Sequence, residues 1–412
     1  MTATTIVTTH TEDLCRAHQG SGKATLGRLL GGMQEVASEG AWLTMSNGGR
    51  YLNFGGHGVY LLGHRHPKVV AAVKHQLDNH PMATRVFFDP VAIGAAAALS
   101  SVTPHGLDLV HFVNSGAEAA EAAIKLARAH GKTALVTTDR GFHGKTLGAL
   151  SVTANPKYQL PFEPLLPGVR SVPFGDIESL DAALAQTRGR GCFIVEPVQG
   201  EGGVNIPPRG YLQAAAELCA RHQALLILDE IQTGLGRLGT WWGADPEAVI
   251  PDILLVGKVL SGGVVPVAAM VATARVYEPF GEDPYLHSST FAASPVACAA
   301  AAATVQVLRE DGLVEQAATL GTRLMHDLGD LLRNHGLDGR VHLRGRGLLI
   351  GMEFNDPMVV GELYLGLVER GVLVNHSLNS STVLRLTPPA IASDTDLDHF
   401  MSAFEHTITD VL

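Results

Sequence analysis

Lys258 follows an apolar run in Asp252-Ile253-Leu254-Leu255-Val256-Gly257-Lys258-Val259-Leu260-Ser261-Gly262-Gly263. A lysine sheltered in this way loses part of its ammonium hydration, its pKa falls, and its amine becomes able to act as a nucleophile and carry a proton. A second apolar run, Leu225-Leu226-Ile227-Leu228, ends in the carboxylates Asp229 and Glu230. In open α/β sheets ligands bind just beyond the carboxyl ends of strands, so a carboxylate there can keep a heteroaromatic nitrogen protonated and make its ring an electron sink. Asn114-Ser115-Gly116-Ala117-Glu118-Ala119 reads as a strand-to-helix junction, where free N–H groups and the helix dipole favour a phosphate; an ordinary helix cap has the same pattern. A lysine amine, a carboxylate, a phosphate cup and a flat apolar surface are what a protein supplies to pyridoxal 5′-phosphate (PLP).

These groups need a rigid scaffold, and the pattern between residues 109 and 273 provides one. Short runs rich in Val, Ile and Leu alternate with stretches of helical period, which predicts an α/β unit with a mostly parallel sheet. Strands are expected at Leu109–Val113, Ala134–Thr138, Cys192–Val198, Leu225–Asp229, Ile253–Val256 and Val267–Ala272, and helices at Ala117–His130 and Tyr211–His222. Further helices at Pro295–Arg309 and Val314–Asn334 lead into a smaller α+β unit. There Val341–Phe354, Val372–His376 and Val383–Leu386 read as extended, and Met358–Arg370 and Asp394–Leu412 as helical. The expected division is a large cofactor-binding domain over 61–310, a C-terminal small domain over 311–412, and residues 1–60 contributing to the small domain and a dimer interface.

Composition excludes other classes. A net charge of −10 with no basic run leaves no footprint for nucleic acid. The first residues lack a secretory signal, and no apolar stretch approaches the roughly 18 residues of a membrane span, so a cytoplasmic protein with no membrane partner is expected. Cys15, Cys192, Cys219 and Cys298 lie far apart and read as reduced thiols, and no metal site is expected. His64 and His66 have no acidic or sulfur partners nearby in sequence and read as turn residues. Two motifs mislead. Gly234-Leu235-Gly236-Arg237-Leu238-Gly239 fits the dinucleotide pattern, but the Thr-Trp-Trp-Gly-Ala-Asp-Pro that follows cannot be the required tight helix. Gly20-Ser21-Gly22-Lys23-Ala24 lacks the first glycine of a P-loop, replaced by Ala17, and its magnesium-binding hydroxyl, replaced by Ala24.

Across nearly its whole length the chain resembles the class III (subgroup II) aminotransferases of fold type I, which have the aspartate aminotransferase-like architecture. The resemblance is carried by Tyr51-Leu52-Asn53-Phe54, Gly63-His64-Arg65-His66-Pro67, Asn114 to Ala119, Gly141-Phe142-His143-Gly144-Lys145-Thr146, Glu196-Pro197-Val198-Gln199-Gly200-Glu201-Gly202-Gly203, Asp229-Glu230-Ile231-Gln232-Thr233-Gly234 and Ser288-Ser289-Thr290-Phe291. It implies that Lys258 carries PLP as a Schiff base, that Asp229 pairs with the pyridinium, and that Gln232 reaches the ring hydroxyl. It places Ser115, Gly116 and Ala117 around the phosphate, Phe142 on one ring face, and His143 and Glu196 among the residues holding the cofactor. Thr290 matches a residue that relatives send to the partner's phosphate, which implies a homodimer with shared sites. Glu201 and Arg385 match a pair in which the arginine clamps a dicarboxylate and is otherwise neutralised by the glutamate; a static salt bridge is the alternative.

Departures narrow the expected substrate. Lys145 stands where many relatives have an arginine that grips a carboxylate, and a lysine lacks the fork. Phe142 to Ile177, with Leu378-Asn379, most resembles putrescine and other diamine aminotransferases. Ala292-Ala293-Ser294, His57 and Arg85 depart from that subgroup, and the last two point to a polar, functionalised substrate. The expected reaction moves an amino group between a primary amine or aldehyde without an α-carboxylate and a keto acid or amino acid such as 2-oxoglutarate or glutamate. An ornithine or acetylornithine type ω-aminotransferase, and an aminomutase or epimerase of the same family, are the alternatives. A non-catalytic PLP fold and a nicotinamide enzyme fit the residues less well.

Overall fold

A computed structural model describes residues 3–412, with side chains from His10 onward. Its centre is a seven-stranded sheet whose strands run, edge to edge, Leu109–Val113, Ala268–Ala272, Ile253–Val256, Leu225–Asp229, Gly191–Val195, Ala134–Thr138 and Val169–Val172. Ala268–Ala272 is antiparallel to both neighbours, and the remaining pairs are parallel. The inner strands are buried on both faces, which is why they read as unbroken apolar runs rather than alternating ones.

Leu225 and Ile227 face one layer, in which the alanines of Gly116–Ala129 bring that helix close to the sheet. Leu226 and Leu228 face the other layer, built with Tyr211–Arg221 and Pro295–Glu310. The expected strands and helices fall within a few residues of these positions. The edge strand Val169–Val172 carries too little apolar pattern to stand out in the sequence.

The C-terminal part differs from the sequence reading in two respects, the first being that Val372–His376, expected as one strand, divides into Val372–Leu373 and Asn375–Ser377, which belong to different sheets. Val341–Phe354, expected as one extended run, is an antiparallel hairpin of His342–Arg346 and Leu349–Glu353. The chain reverses at Gly347, which has φ +53°, and a Cβ there would lie 2.3 Å from the Leu238 backbone. Ser380–Leu386 and Asn375–Ser377 complete this sheet, with Arg385 opposite Gly351. A third sheet joins Glu35–Glu39, Trp42–Met45 and Arg50–Asn53 to Val372–Leu373, so residues near the start of the chain pair with residues near its end. A Ser393–Asp396 capping box starts the helix Asp394–Val411. Among the described residues no helix is long and apolar enough to cross a membrane.

Candidate active site

Five strands of the central sheet deliver side chains to one edge. Asp229 ends its strand, Glu196 follows Gly191–Val195, and Lys258 lies two residues beyond Ile253–Val256. The helix Gly116–Ala129 opens just after Leu109–Val113, and the segment from Gly141 to Lys145 follows Ala134–Thr138. A cavity of about 360 Å³ is lined by Gly116, Ala117, Phe142, His143, Lys145, Glu196, Glu201, Asp229, Gln232 and Lys258, together with Gly144 and Ile231. Ser115 lines an adjoining hollow shared with Gly116 and Lys258 and caps the helix by accepting a hydrogen bond from the Glu118 N–H at 3.3 Å. Sites of this kind form where parallel strands end.

The buried carboxylate Asp229 is held by two donors. Its Oδ2 lies 2.7 Å from His143 Nδ1, and its Oδ1 accepts the Ile231 N–H at 3.1 Å. His143 is fixed in turn by its backbone N–H donating to Thr153 Oγ1 at 2.9 Å. Glu196 accepts from the Phe142 N–H at 2.9 Å and the Gly200 N–H at 3.2 Å, tying the two segments that flank the cavity, and burial pushes its carboxyl up to about 7. Lys258 sits in a tight turn at φ +44°, its carbonyl accepting the Ser261 hydroxyl at 2.7 Å. Among the described residues its amine makes no hydrogen bond or ion pair, and burial holds its pKa below the ordinary lysine range.

Behind this cavity Arg385, fully buried, donates from Nη1 to Glu201 Oε1 at 2.8 Å, while Glu201 Oε2 accepts the Leu378 N–H at 3.0 Å. Among the described residues Arg385 Nε and Nη2 have no hydrogen-bond partner, so this guanidinium has capacity for a second carboxylate. Gln232 bridges the pair, accepting from Arg385 at 3.4 Å and donating to Glu201 at 3.4 Å. It fits only because residue 200 is glycine: a Cβ there would lie 1.4 Å from Gln232 Oε1.

Besides Ser115 and Arg385, three expected site residues do not line this cavity. His57 is exposed, its carbonyl 3.5 Å from the Gln232 amide; its imidazole lies within electrostatic reach of Arg385, Glu201 and Lys258. Arg85 donates to the Ser289 carbonyl, and Thr290 beside it is exposed. The neighbouring Phe87, Phe88 and Phe291 are 83%, 96% and 63% exposed. The sequence also gave no sign of Tyr158, over whose ring the Lys145 ammonium lies at 4.1 Å, or of Asn155, which hydrogen-bonds Asn379 at 2.8 Å. Neither belongs to a motif, and only the folded chain brings them to the rim. His64 is hydrogen-bonded to Asn53, and the 234–239 glycines form turns, not a helix N-terminus.

An unpartnered amine facing a buried carboxylate, next to a helix N-terminus, suits a pyridoxal-type cofactor. Gly116 provides the close approach, since a Cβ there would lie 2.7 Å from Ile231 Cδ1. The fold and site therefore define a PLP-dependent enzyme. Residues 33–408 match the class-III aminotransferase family model, and the chain belongs to that family. Among solved structures it is similar to an ornithine aminotransferase from Toxoplasma gondii that carries PLP at its active site in partial occupancy, with 34% identity, a TM-score of 0.85, and 92% of this chain and 90% of that one covered. An (S)-enantioselective ω-transaminase from Thermomicrobium roseum shares 29% identity at a TM-score of 0.85, covering 92% and 93%. The ornithine δ-aminotransferase of Plasmodium falciparum shares 30% at 0.80, covering 92% and 94%. The protein is a PLP-dependent aminotransferase.

Proposed function

We propose that this aminotransferase acts on a primary amine, or the corresponding aldehyde, whose reacting carbon bears no carboxylate, and uses a keto acid or amino acid such as 2-oxoglutarate or glutamate as the other partner. The observation that carries this reading is Lys145, a point cation stacked on Tyr158 at the cavity, where a forked guanidinium would clamp an α-carboxylate. When bound, PLP supplies a carbonyl that takes up the amino group and a ring that spreads the electron pair left when the carbon loses its proton. The protein residues supply the rest. Lys258 would hold the cofactor, and its amine, whose pKa burial lowers, would carry the proton to and from the reacting carbon. Asp229, oriented by His143, would keep the ring nitrogen protonated, Phe142 would cover one ring face, and Ser115, Gly116 and Ala117 would receive the phosphate. Gln232, which lines the cavity, would hold the ring hydroxyl. Arg385 leaves Glu201 to take the dicarboxylate partner's carboxylate and returns to it when the amine is bound.

The resemblance to diamine enzymes from Phe142 to Ile177 supports this reading, as do relatives whose names place their chemistry at a δ or ω position. Ornithine reacting at its δ-amino group is the second reading, favoured by 34% identity to an ornithine aminotransferase. A donor panel of ornithine, putrescine and polar primary amines with 2-oxoglutarate tests both. Donors reacting at a carbon without a carboxylate should lead in kcat/KM, because losing a bidentate clamp weakens the hold on an α-carboxylate by about 1 to 3 kcal/mol. Ornithine consumed fastest at its α-carbon would overturn the proposal. Activity on putrescine alone would remove the polar role assigned to His57 and Arg85.

We infer further that two chains complete each site, the large domain over 61–310 holding the cofactor and the segments over 1–60 and 311–412 closing it. Thr290 lies on the surface that exposes Phe87, Phe88 and Phe291, an apolar patch suited to a second copy. Mixing Lys258→Ala with a disabling Thr290 variant should restore activity in heterodimers, each of which has one intact site. Heterodimers without activity would rule out sharing.

A further inference from the structure

The dinucleotide-like glycine segment contains a residue that the reaction as described does not use. Arg237 is fully buried, and among the described residues it makes no ion pair. Its guanidinium instead donates to three carbonyls from separate parts of the chain: Pro388 at 2.6 Å, Leu348 at 3.1 Å and Gly58 at 3.4 Å. Each acceptor touches the site or its support. Pro388 lies three residues beyond Arg385 on the segment leaving its strand, and Leu348 is in the turn of the hairpin whose Gly351 pairs with Arg385. A Cβ on Gly58 would be 3.5 Å from Gln232 and 3.7 Å from Lys258. The two buried guanidiniums repel each other, and among the described residues the ion pair of Glu201 is with Arg385. Burial and then Arg385 push the Arg237 pKa down to about 9, which leaves it charged at neutral pH.

We propose that Arg237 is a positioning residue for the dicarboxylate half-reaction: it fixes the backbone that aims Arg385 and adds a second, unpaired positive charge behind it. Against these two cations Arg385's ion pair sets the single carboxylate of Glu201, and a partner bringing two carboxylates is favoured over one bringing a single carboxylate. This rests on the reading of Arg385 as the clamp for the partner's carboxylate. A purely structural arginine would affect all substrates alike, whereas a positioning role acts selectively on the dicarboxylate.

The test uses holoenzyme loaded with the amino form of the cofactor and measures single-turnover consumption of 2-oxoglutarate and of pyruvate. Arg237→Met, which keeps bulk without charge, should reduce the preference for 2-oxoglutarate by about tenfold or more, the scale of a misaimed binding group. Arg237→Lys should fall between it and the wild type, and the amine half-reaction should change little. Folded variants that keep the wild-type preference, or lose both acceptors equally, would overturn the proposal. Arg237→Gln provides the comparison should the methionine variant fail to fold. Arg385→Lys separates the two readings. If it leaves the preference intact, the clamp reading itself fails; if it removes the preference while folded Arg237 variants do not, only the role of Arg237 fails.

Discussion

Replacing Lys258 with alanine is expected to lower kcat by on the order of 10⁵-fold, the scale seen when a group that both bonds covalently and transfers protons is removed. The loss should be chemical rather than structural. Among the described residues the lysine amine makes no hydrogen bond or ion pair, and the side chain lines a cavity rather than close-packed core. Thermal stability of the variant without added cofactor should therefore stay near that of the parent. Exogenous small amines should restore part of the rate, because they replace the missing nucleophile and proton carrier. A variant retaining more than about a tenth of the parent kcat would show that another amine does this work.

Replacing Asp229 with asparagine should cost about 10³ to 10⁴ in kcat, comparable to neutralising an orienting carboxylate in other enzymes. Asparagine keeps the shape and offers one oxygen to the Ile231 N–H or to His143, but it removes the charge that a protonated ring nitrogen needs as counter-ion. Asp229→Glu, which keeps the charge at a shifted position, should recover part of the loss. Cofactor-saturated kinetics distinguish this effect from weaker cofactor binding. A loss of less than tenfold would mean that the carboxylate does not act on the ring.

Much of this site was legible because it lies at strand ends. Strands buried on both faces read as unbroken apolar runs, and Lys258, Asp229 and Asn114 to Ala117 each follow one, so the residue pattern alone placed them on the same sheet edge. The partner of Asp229 could not be read in this way. His143 arrives from a different strand, and its contact with Asp229 spans 86 positions. Arg237 was hidden for a related reason: its acceptors lie 111, 151 and 179 positions away, and its local sequence matched an unrelated phosphate-binding pattern.

The glycines of that pattern serve packing. A Cβ at Gly234 would lie 2.7 Å from Trp242, and one at Gly239 would lie 2.8 Å from Ala318. The hairpin over 342–353 was read as a single run, although His342–Arg346 is largely polar and the apolar run begins only at Leu348; the left-handed Gly347 marks the turn between them. Thr290 and Arg85 lie on a surface whose function, as proposed, requires a second chain. Their sequence context shows a match to relatives at Thr290 and a departure from the diamine enzymes at Arg85, but nothing of what they face.

Identifying the residue that bears the cofactor tests the account most directly. The purified protein should be yellow, and borohydride should reduce its carbonyl–lysine linkage to a stable adduct for peptide mapping by mass spectrometry. The adduct is predicted on the peptide containing Lys258, the one cavity lysine placed beyond a buried strand near Asp229. An adduct on Lys145, which also lines the cavity, or on Lys125, whose amine is bonded to the Leu286 carbonyl, would contradict it.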